Sequence, residues 1–560
     1  METARKLITE GVYDNLEFFT TYAFENGEDA EYFGVELFKE TGKFVKGCYI
    51  NASIKLYLHY RDTSDEREAF AWEKVLFGIR LLKNDVVATW GKLNVMRGVY
   101  SLFRRGLLSM LPDDCIEILR DRTSIDDFYD REKKALIGRF PSNYYQVAMA
   151  TEAFREMVGW ENSGESDIIK DKLLGIMKDF SGGGWMDECP PFGRYDRYSI
   201  LISSELIDSL NSIGKEIPEF ALKNLSDAAK LALECANPNG DGIIYGRSLS
   251  VHGDCAFLEI LATALRCGLI KDEDKQLAMS YCGAILRHTF SYWFDKNRNS
   301  YNLWFDGRTT NGYRHIQRLL DVNLDMAIHM LTTLENLEAA GCADMPTDIP
   351  LPENPHDFTN PSKTVFSDRP DEKRILYSFV QDGKLYQLPL ICSALCSAAY
   401  QPFPASVCRI EAPPETMLPF LVPRFWNESD MFYTPVGFYT DISEEAAEVD
   451  GCCGTCITAK GKMCLFGKNR FEKSDIDFTA KYTFAGKKIL MSYTADTDIQ
   501  MTCRAMYAYG KDGCKVTFNG ETPEVIPVSG DSRYFTPHGE SIGAMEYTAK
   551  TNRVDIVLEL

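Results

Sequence analysis

The sequence predicts a multidomain α + β protein, with an N-terminal (α/α) toroid of about twelve helices followed by a C-terminal antiparallel β-sandwich. Three observations lead there. At 560 residues the chain exceeds one ordinary core, so two domains are expected. Apolar residues recur at helical spacing as far as residue 342 and at a period of two beyond it. Between the two textures lies Met345-Pro346-Thr347-Asp348-Ile349-Pro350-Leu351-Pro352-Glu353-Asn354-Pro355, which cannot continue a helix. The expected division is a toroid over 1–342, a linker over 343–362 and a β domain over 363–560.

Helices are expected near 3–22, 45–59, 66–84, 90–108, 113–121 and 143–159, then near 165–179, 198–212, 218–236, 254–267, 273–292 and 320–340. Leu7, Val12, Leu16 and Phe19 make one stripe, and Trp72, Val75, Leu76, Ile79 and Leu82 another. Gly, Pro, Asn and Asp fill the connections. A dozen consecutive helices with short connections close into paired inner and outer rings, because a flat array leaves one apolar face wet. In the β part, Arg374 to Val380 and Lys384 to Leu390 flank Asp382-Gly383. Further turns are expected at Gly510 to Gly513 and at Asn519-Gly520.

The net charge of −21 argues against a nucleic-acid surface, which needs a basic face, but leaves room for an anionic small ligand held by a few Arg and His residues. The first residues lack a secretory apolar core, and no run approaches the roughly 18 apolar residues that span a bilayer. Seventeen cysteines without an export signal suggest reduced thiols. A cytoplasmic protein with no membrane partner is expected.

Two polar stretches stand immediately before apolar helices. The first runs Gly182-Gly183-Gly184-Trp185-Met186-Asp187-Glu188 and on to Gly193-Arg194-Tyr195-Asp196-Arg197-Tyr198-Ser199. The second is Tyr245-Gly246-Arg247-Ser248-Leu249-Ser250-Val251-His252-Gly253-Asp254. Clustered Arg, His and Asp are costly to desolvate and are poor packing material, so the loops read as one working pocket at an end of the helical domain. Individually, Arg194, Arg197 and Asp196 could instead form a surface ion pair, and Asp254 a helix cap. A third segment, Asp306 to His315, offers Tyr313 and His315 to the same pocket, or is a plain turn.

Four motifs in this order resemble a bacterial family of poorly defined function whose (α/α) toroid is related to heparinase II/III-like polysaccharide lyases and to glycoside hydrolases acting on glucuronides. They are Ser142-Asn143-Tyr144-Tyr145, Gly184-Trp185-Met186-Asp187, Tyr195-Asp196-Arg197-Tyr198-Ser199 and Gly246-Arg247-Ser248-Leu249. The likeness spans 130–270. Val251-His252 stands where the family usually has Tyr-Arg, so contacts at that point are not carried across. The resemblance implies a carbohydrate-active enzyme for acidic sugars.

Two chemistries fit. Hydrolysis needs a carboxylic acid and a carboxylate on opposite sides of the glycosidic bond, with Asp187 and Asp196 best placed among Asp187, Glu188, Asp196 and Asp254. Gly182 to Gly184 would let backbone approach the sugar, with Trp185, Tyr195 and Tyr198 stacking on it. β-Elimination needs a partner for the uronate carboxylate and a base for the C5 proton, roles open to Asn143, Tyr198, Arg247 and His252. Arg194 and Arg247 serve either scheme as carboxylate clamps, and Ser248 stands in the same loop. Catalysis is therefore expected from Asp187, Asp196, Tyr198 and His252. Substrate contacts are expected from Asn143, Trp185, Glu188, Arg194, Tyr195, Arg247, Ser248, Asp254, Tyr313 and His315.

The expected activity is that of an exo-acting, glucuronidase-like hydrolase on uronic-acid-containing oligosaccharides. The alternatives are a lyase, or a non-catalytic sugar-binding or assembly protein whose β domain makes homo-oligomer contacts. No cofactor or metal is expected. Asp126-Asp127-Phe128-Tyr129-Asp130 has magnesium-binding spacing, but no second motif accompanies it and the run suits a helix start. Cys453 and Cys456 form one C-x-x-C without the second pair a zinc ribbon needs and read as buried thiols. His59, His288 and His329 fall within helical patterns and read as structural.

Overall fold

The computed structural model describes the chain apart from residues 1, 40–42, 139, 163, 191–192, 194, 244–249, 307, 309–314, 353–361, 371, 382–383, 391–408, 411–419, 428–430, 468–469, 510–514, 527–542 and 560. Thirteen α-helices lie among the described residues. They are α1 (Ala4–Asn26), α2 (Val45–Thr63), α3 (Glu68–Leu81), α4 (Thr89–Arg104), α5 (Asp113–Arg122), α6 (Tyr144–Met157) and α7 (Glu165–Phe180). There follow α8 (Arg197–Ile200), α9 (Ile202–Ser212), α10 (Glu219–Glu234), α11 (Val251–Arg266), α12 (Lys275–His288) and α13 (Leu319–Ala339). The helix expected over 198–212 is thus split at Leu201. None of the helices is long and apolar enough to cross a membrane.

Packing contacts run from α2 to α4, α6, α9, α11 and α13, and then from α13 back to α2. These six helices run parallel, because successive cross-contacts climb together. Gly47 lies against Gly91, so close that a Cβ at residue 47 would stand 2.1 Å from the Gly91 carbonyl oxygen. One turn on, Asn51 donates to Asn94 at 3.2 Å. Arg97 pairs with Glu205 and the Tyr100 hydroxyl donates to the Ser212 carbonyl at 2.9 Å. His329 meets Glu259 at 2.8 Å, and Lys55 meets Glu335 at 2.8 Å. All six N-termini therefore share one end. Amphipathic partners such as α3, α7, α10 and α12 pack against these six.

The C-terminal part forms one hydrogen-bonded sheet of fourteen strands among the described residues, every pairing antiparallel. Its longest hairpin joins Phe432–Val449 to Cys452–Gly467 through Asp450-Gly451, both residues at positive φ (51° and 79°). That is the type I′ geometry an Asp-Gly pair favours. Asn519-Gly520 does the same at 49° and 81°, with Phe518 and Glu521 exchanging both backbone hydrogen bonds. Asp382-Gly383 and Gly510 to Gly513 fall outside the described residues, although Gln381 and Lys384 pair as the first turn requires. A separate core of Ile457, Phe478, Tyr493 and Ile556 holds the sheet.

The sheet sits against the N-terminal end of the six parallel helices. Gln387 Nε2 reaches the Cys235 sulfur at 3.3 Å, Arg369 donates to the Asp179 carbonyl, and Phe366 packs on Trp185. The beginning of the expected linker is fastened to the helices: Ala4 N donates to the Met345 carbonyl at 3.0 Å and Thr347 N to that of Glu2 at 3.0 Å.

Two local expectations are corrected. The acidic run at 126–130 begins no helix, and its three carboxylates pair with three different cations. Asp126 pairs with Arg131 at 2.6 Å, Asp127 with Lys92 at 2.6 Å and Asp130 with Lys133 at 2.9 Å. The C-x-x-C lies on a strand, where positions three apart face opposite sides; Cys453 is exposed and Cys456 buried.

Candidate functional site

The described residues of the first polar stretch, of the Ser142 motif and of the start of α11 meet at the N-terminal ends of the parallel helices. Ser142, at the start of α6, donates to the Glu188 carbonyl through both its backbone N–H (2.8 Å) and its hydroxyl (3.1 Å). Helix α8, carrying Tyr198, packs on the short strand Trp185–Met186 and on α11, which carries His252 and Asp254. The Tyr198 ring lies 4.5 Å from that of Trp90 at the start of α4. Arg194, Arg247, Ser248 and Tyr313 lie outside the described residues.

Once assembled, most of the predicted side chains are interior. Asp187, Glu188, Asp196, Trp185, Tyr195, His252, Asp254 and Asn143 are all buried, whereas Tyr198 keeps 8% of its surface and His315 is half-buried. Asp187 accepts the backbone N–H groups of Cys189 (3.0 Å) and Gly193 (2.8 Å), and Arg374 of the sheet approaches the same carboxylate at 3.1 Å. Asp196 is the N-cap of α8 in a capping box, its side chain accepting from Tyr198 N while its own N–H donates to the Ser199 hydroxyl at 2.7 Å. Asp254 is not a cap: Ser250 precedes α11, and Asp254 accepts from Gly242 N and from the Trp293 indole, each at 2.7 Å.

The glycines and aromatics of the first loop face protein. A Cβ at residue 182 would stand 2.4 Å from the Phe366 carbonyl oxygen, one at 183 would stand 2.3 Å from the Thr364 methyl, and one at 184 would stand 2.2 Å from the Ala228 nitrogen. Trp185 stacks on Phe366 with centroids 5.3 Å apart, and Tyr195 touches the same ring at 5.3 Å. The ion pair imagined for Arg197 at the surface is interior: Arg197 is fully buried and holds Asp325 at 3.1 Å. Asn143 differs from its neighbours, because its buried Oδ1 has no hydrogen-bond partner. His315 is pushed down by its burial and by Arg318.

Deeper between the helices lies a charged network that the sequence did not announce. His329 Nδ1 meets Glu259 at 2.8 Å and its Nε2 lies 3.5 Å from Asp325, which also binds Arg197. Burial and Arg197 push this imidazole down, but Glu259 and Asp325 outweigh them and its pKa rises to about 9. Glu205 is held by Arg97. Asp208, bound to Arg266 at 2.8 Å, is pushed up to about 7 by its burial, with Glu259 and Glu205 adding to the effect. A cavity of about 130 Å³ adjoins the network toward the C-terminal ends of the helices, opposite the sheet. Donor atoms of Glu205, Glu259 and His329 fall within 4.8 Å of one another, a spacing that could hold a metal. Arg97 already pairs with Glu205, and the imidazolium of His329 with Glu259. An i, i+4 pair such as Asp325 and His329 was visible in the sequence; Glu259 and Arg97, on other helices, were not.

No protein-family model matches the chain, and no curated protein matches it in sequence. Solved structures do. The Streptomyces coelicolor A3 chondroitin AC lyase, crystallised with chondroitin sulphate, aligns over 98% of this chain and 79% of its own, with a TM-score of 0.52 and 10% identity. A Paenibacillus xanthan lyase aligns over 98% of this chain and 57% of its own, with a TM-score of 0.49 and 9% identity. A glycosyl hydrolase family 88 protein from Bacteroides vulgatus aligns over 60% of this chain and 100% of its own, with a TM-score of 0.38 and 9% identity. The structural neighbours are thus polysaccharide lyases and family 88 and 105 hydrolases, and the chain shares its fold with the chondroitin AC lyase.

Proposed function

We propose that this protein is a carbohydrate-active enzyme that cleaves uronate-containing glycans by β-elimination. Its helices form an (α/α) toroid, its sheet folds over as a sandwich, and the reaction takes place at the mouth between them. Tyr198 is the base and Asn143 a partner for the uronate carboxylate. The observation that carries the proposal is Asn143: a buried amide at a helix start on the same mouth as Tyr198, with no side-chain hydrogen bond among the described residues, so that its Oδ1 can accept a sugar hydroxyl while its Nδ2 donates to the carboxylate. An amide left unsatisfied in the interior is costly unless a ligand completes it.

The electrostatics point the same way. Six parallel helices present their N-termini at this mouth, each carrying roughly half a positive charge, which favours an anionic sugar. In the step itself the Tyr198 phenolate oxygen takes the C5 proton, the C5 electron pair forms the C4–C5 double bond, and the C4–O bond breaks. The departing oxygen recovers the proton from the phenol. Asn143 stabilises the charge that builds on the carboxylate.

Hydrolysis through Asp187 and Asp196 would require Asp187 to leave Arg374 and Asp196 to leave the first turn of α8. The likeness in fold to a lyase over nearly the whole chain also favours elimination. Incubating the protein with a panel of glucuronide and galacturonide oligosaccharides tests the proposal. Elimination gives products with the ultraviolet absorbance of an unsaturated uronate. Cleavage of saturated substrates without that absorbance supports hydrolysis instead, and binding without cleavage supports a non-catalytic sugar-binding protein.

A further inference from the structure

The sheet domain grips the segment that carries Tyr198 at three points. At its start, Gly182 and Gly183 lie against Phe366 and Thr364 so closely that neither position has room for a Cβ. In its middle, Arg374 reaches Asp187 at 3.1 Å, both side chains 3% exposed. Near its end, Tyr195 packs on Phe366, one residue before the cap of α8.

Asp187 is the knot of this arrangement. One of its oxygens accepts Cys189 N and the other accepts Gly193 N, so this one carboxylate ties the two backbone positions together. The second oxygen is also the one Arg374 approaches. The two N–H donors stabilise the buried carboxylate in part, and Arg374 adds a compensating cation on the same oxygen that holds Gly193 N. Two residues after Gly193 in the sequence comes Tyr195, then the Asp196 cap and Tyr198, whose ring rests on Trp90.

We infer that Arg374 is a positioning residue for the proposed elimination: through Asp187 it sets where Tyr198 stands at the mouth, so the sheet domain takes part in the chemistry without touching substrate. This rests on the elimination reading for its catalytic consequence, but not for the clamp itself. Displacement of a base by about 1 Å costs on the order of a hundredfold in rate.

The test compares the full-length protein with Arg374→Met and Arg374→Lys, by hydrogen–deuterium exchange and by steady-state kinetics on whichever oligosaccharide is cleaved. Arg374→Met should speed exchange across 187–199 while leaving α13 unchanged. It should lower kcat roughly a hundredfold with KM little altered, and Arg374→Lys should restore part of both. Unchanged exchange across 187–199 in Arg374→Met overturns the inference whatever the activity. So does a rise shared equally by α11 and α13, which would mark general destabilisation. If Arg374→Met does not fold, Arg374→Lys carries the test, with intermediate exchange over 187–199 expected and wild-type exchange contradicting it. A wild-type protein that cleaves no uronate overturns the elimination reading and the catalytic role given to Arg374, while exchange still decides whether the clamp exists.

Discussion

The pair formed by His329 and Glu259 makes the stability of the helical domain depend on pH in a defined direction. The imidazole is 4% exposed, lies 2.8 Å from Glu259, and has its pKa raised to about 9. Because that value lies above the roughly 6.5 of an unfolded histidine, its contribution is fully present below about pH 6.5 and is lost as pH rises through about 9. The difference corresponds to about 3 kcal/mol, of which about 2 kcal/mol falls between about pH 7.5 and 9.5. Asp208, also raised, to about 7, loses its contribution as pH rises through 7 and so has largely finished changing below that window. The variant to use is Glu259→Gln combined with His329→Gln. It removes both charges at once and leaves Asp325 with Arg197, whereas His329→Gln alone strands a buried carboxylate. Thermal midpoints measured at both ends of the window should fall by about 2–5 °C more in the wild type than in the double variant. Parallel pH curves for the two proteins would refute the reasoning.

Four further substitutions separate chemistry from architecture. Tyr198→Phe should lower kcat by a hundredfold or more, as expected for loss of a base, while the ring contact with Trp90 holds the thermal midpoint within about 2 °C; activity assay and melting together check it. Asn143→Ala should weaken turnover about tenfold or more at small cost in stability, because its Oδ1 is bonded to nothing in the protein. Asp254→Ala leaves Gly242 N–H and the Trp293 indole N–H unpaired, and should destabilise the protein by about 2–6 kcal/mol in denaturant titration. Gly184→Ala places a Cβ 2.2 Å from the Ala228 nitrogen at a φ of +79°, and should cost several kcal/mol by the same measurement.

Much of the helical half was legible because its signal is local. The stripe Leu7, Val12, Leu16 and Phe19 repeats at helical spacing, and in the structure Val12, Leu16 and Phe19 are buried on α1 while Leu7 packs at its margin. Turns such as Asn519-Gly520 were legible for the same reason, since positive φ at two successive residues selects those types. Boundaries set by tertiary contacts were less so. Helix α11 begins at Val251 rather than three residues later because Ser250, at a φ of 62°, turns the chain into it.

The polar loops could be recognised as unusual, but not which of their groups are committed to architecture. Asp187 looked like a catalytic acid because its partner Arg374 lies 187 residues away, on a strand with no motif. Gly182 to Gly184 looked like room for a sugar, and the room is filled by Phe366, Thr364 and Ala228. Arg97, Glu205 and Glu259 sit on amphipathic helices as apparently ordinary charges. Only closure of the helix circuit brings them together, and no periodicity in one helix encodes that meeting.

The most direct trial of elimination at Tyr198 is to run the cleavage in water enriched in heavy oxygen and to weigh both fragments by mass spectrometry. An eliminating enzyme takes no oxygen from solvent, so both fragments should be unlabelled, with the unsaturated one lighter by one water than its hydrolytic counterpart. A heavy oxygen atom in either fragment, formed at the wild-type rate by Tyr198→Phe as well, would contradict the account.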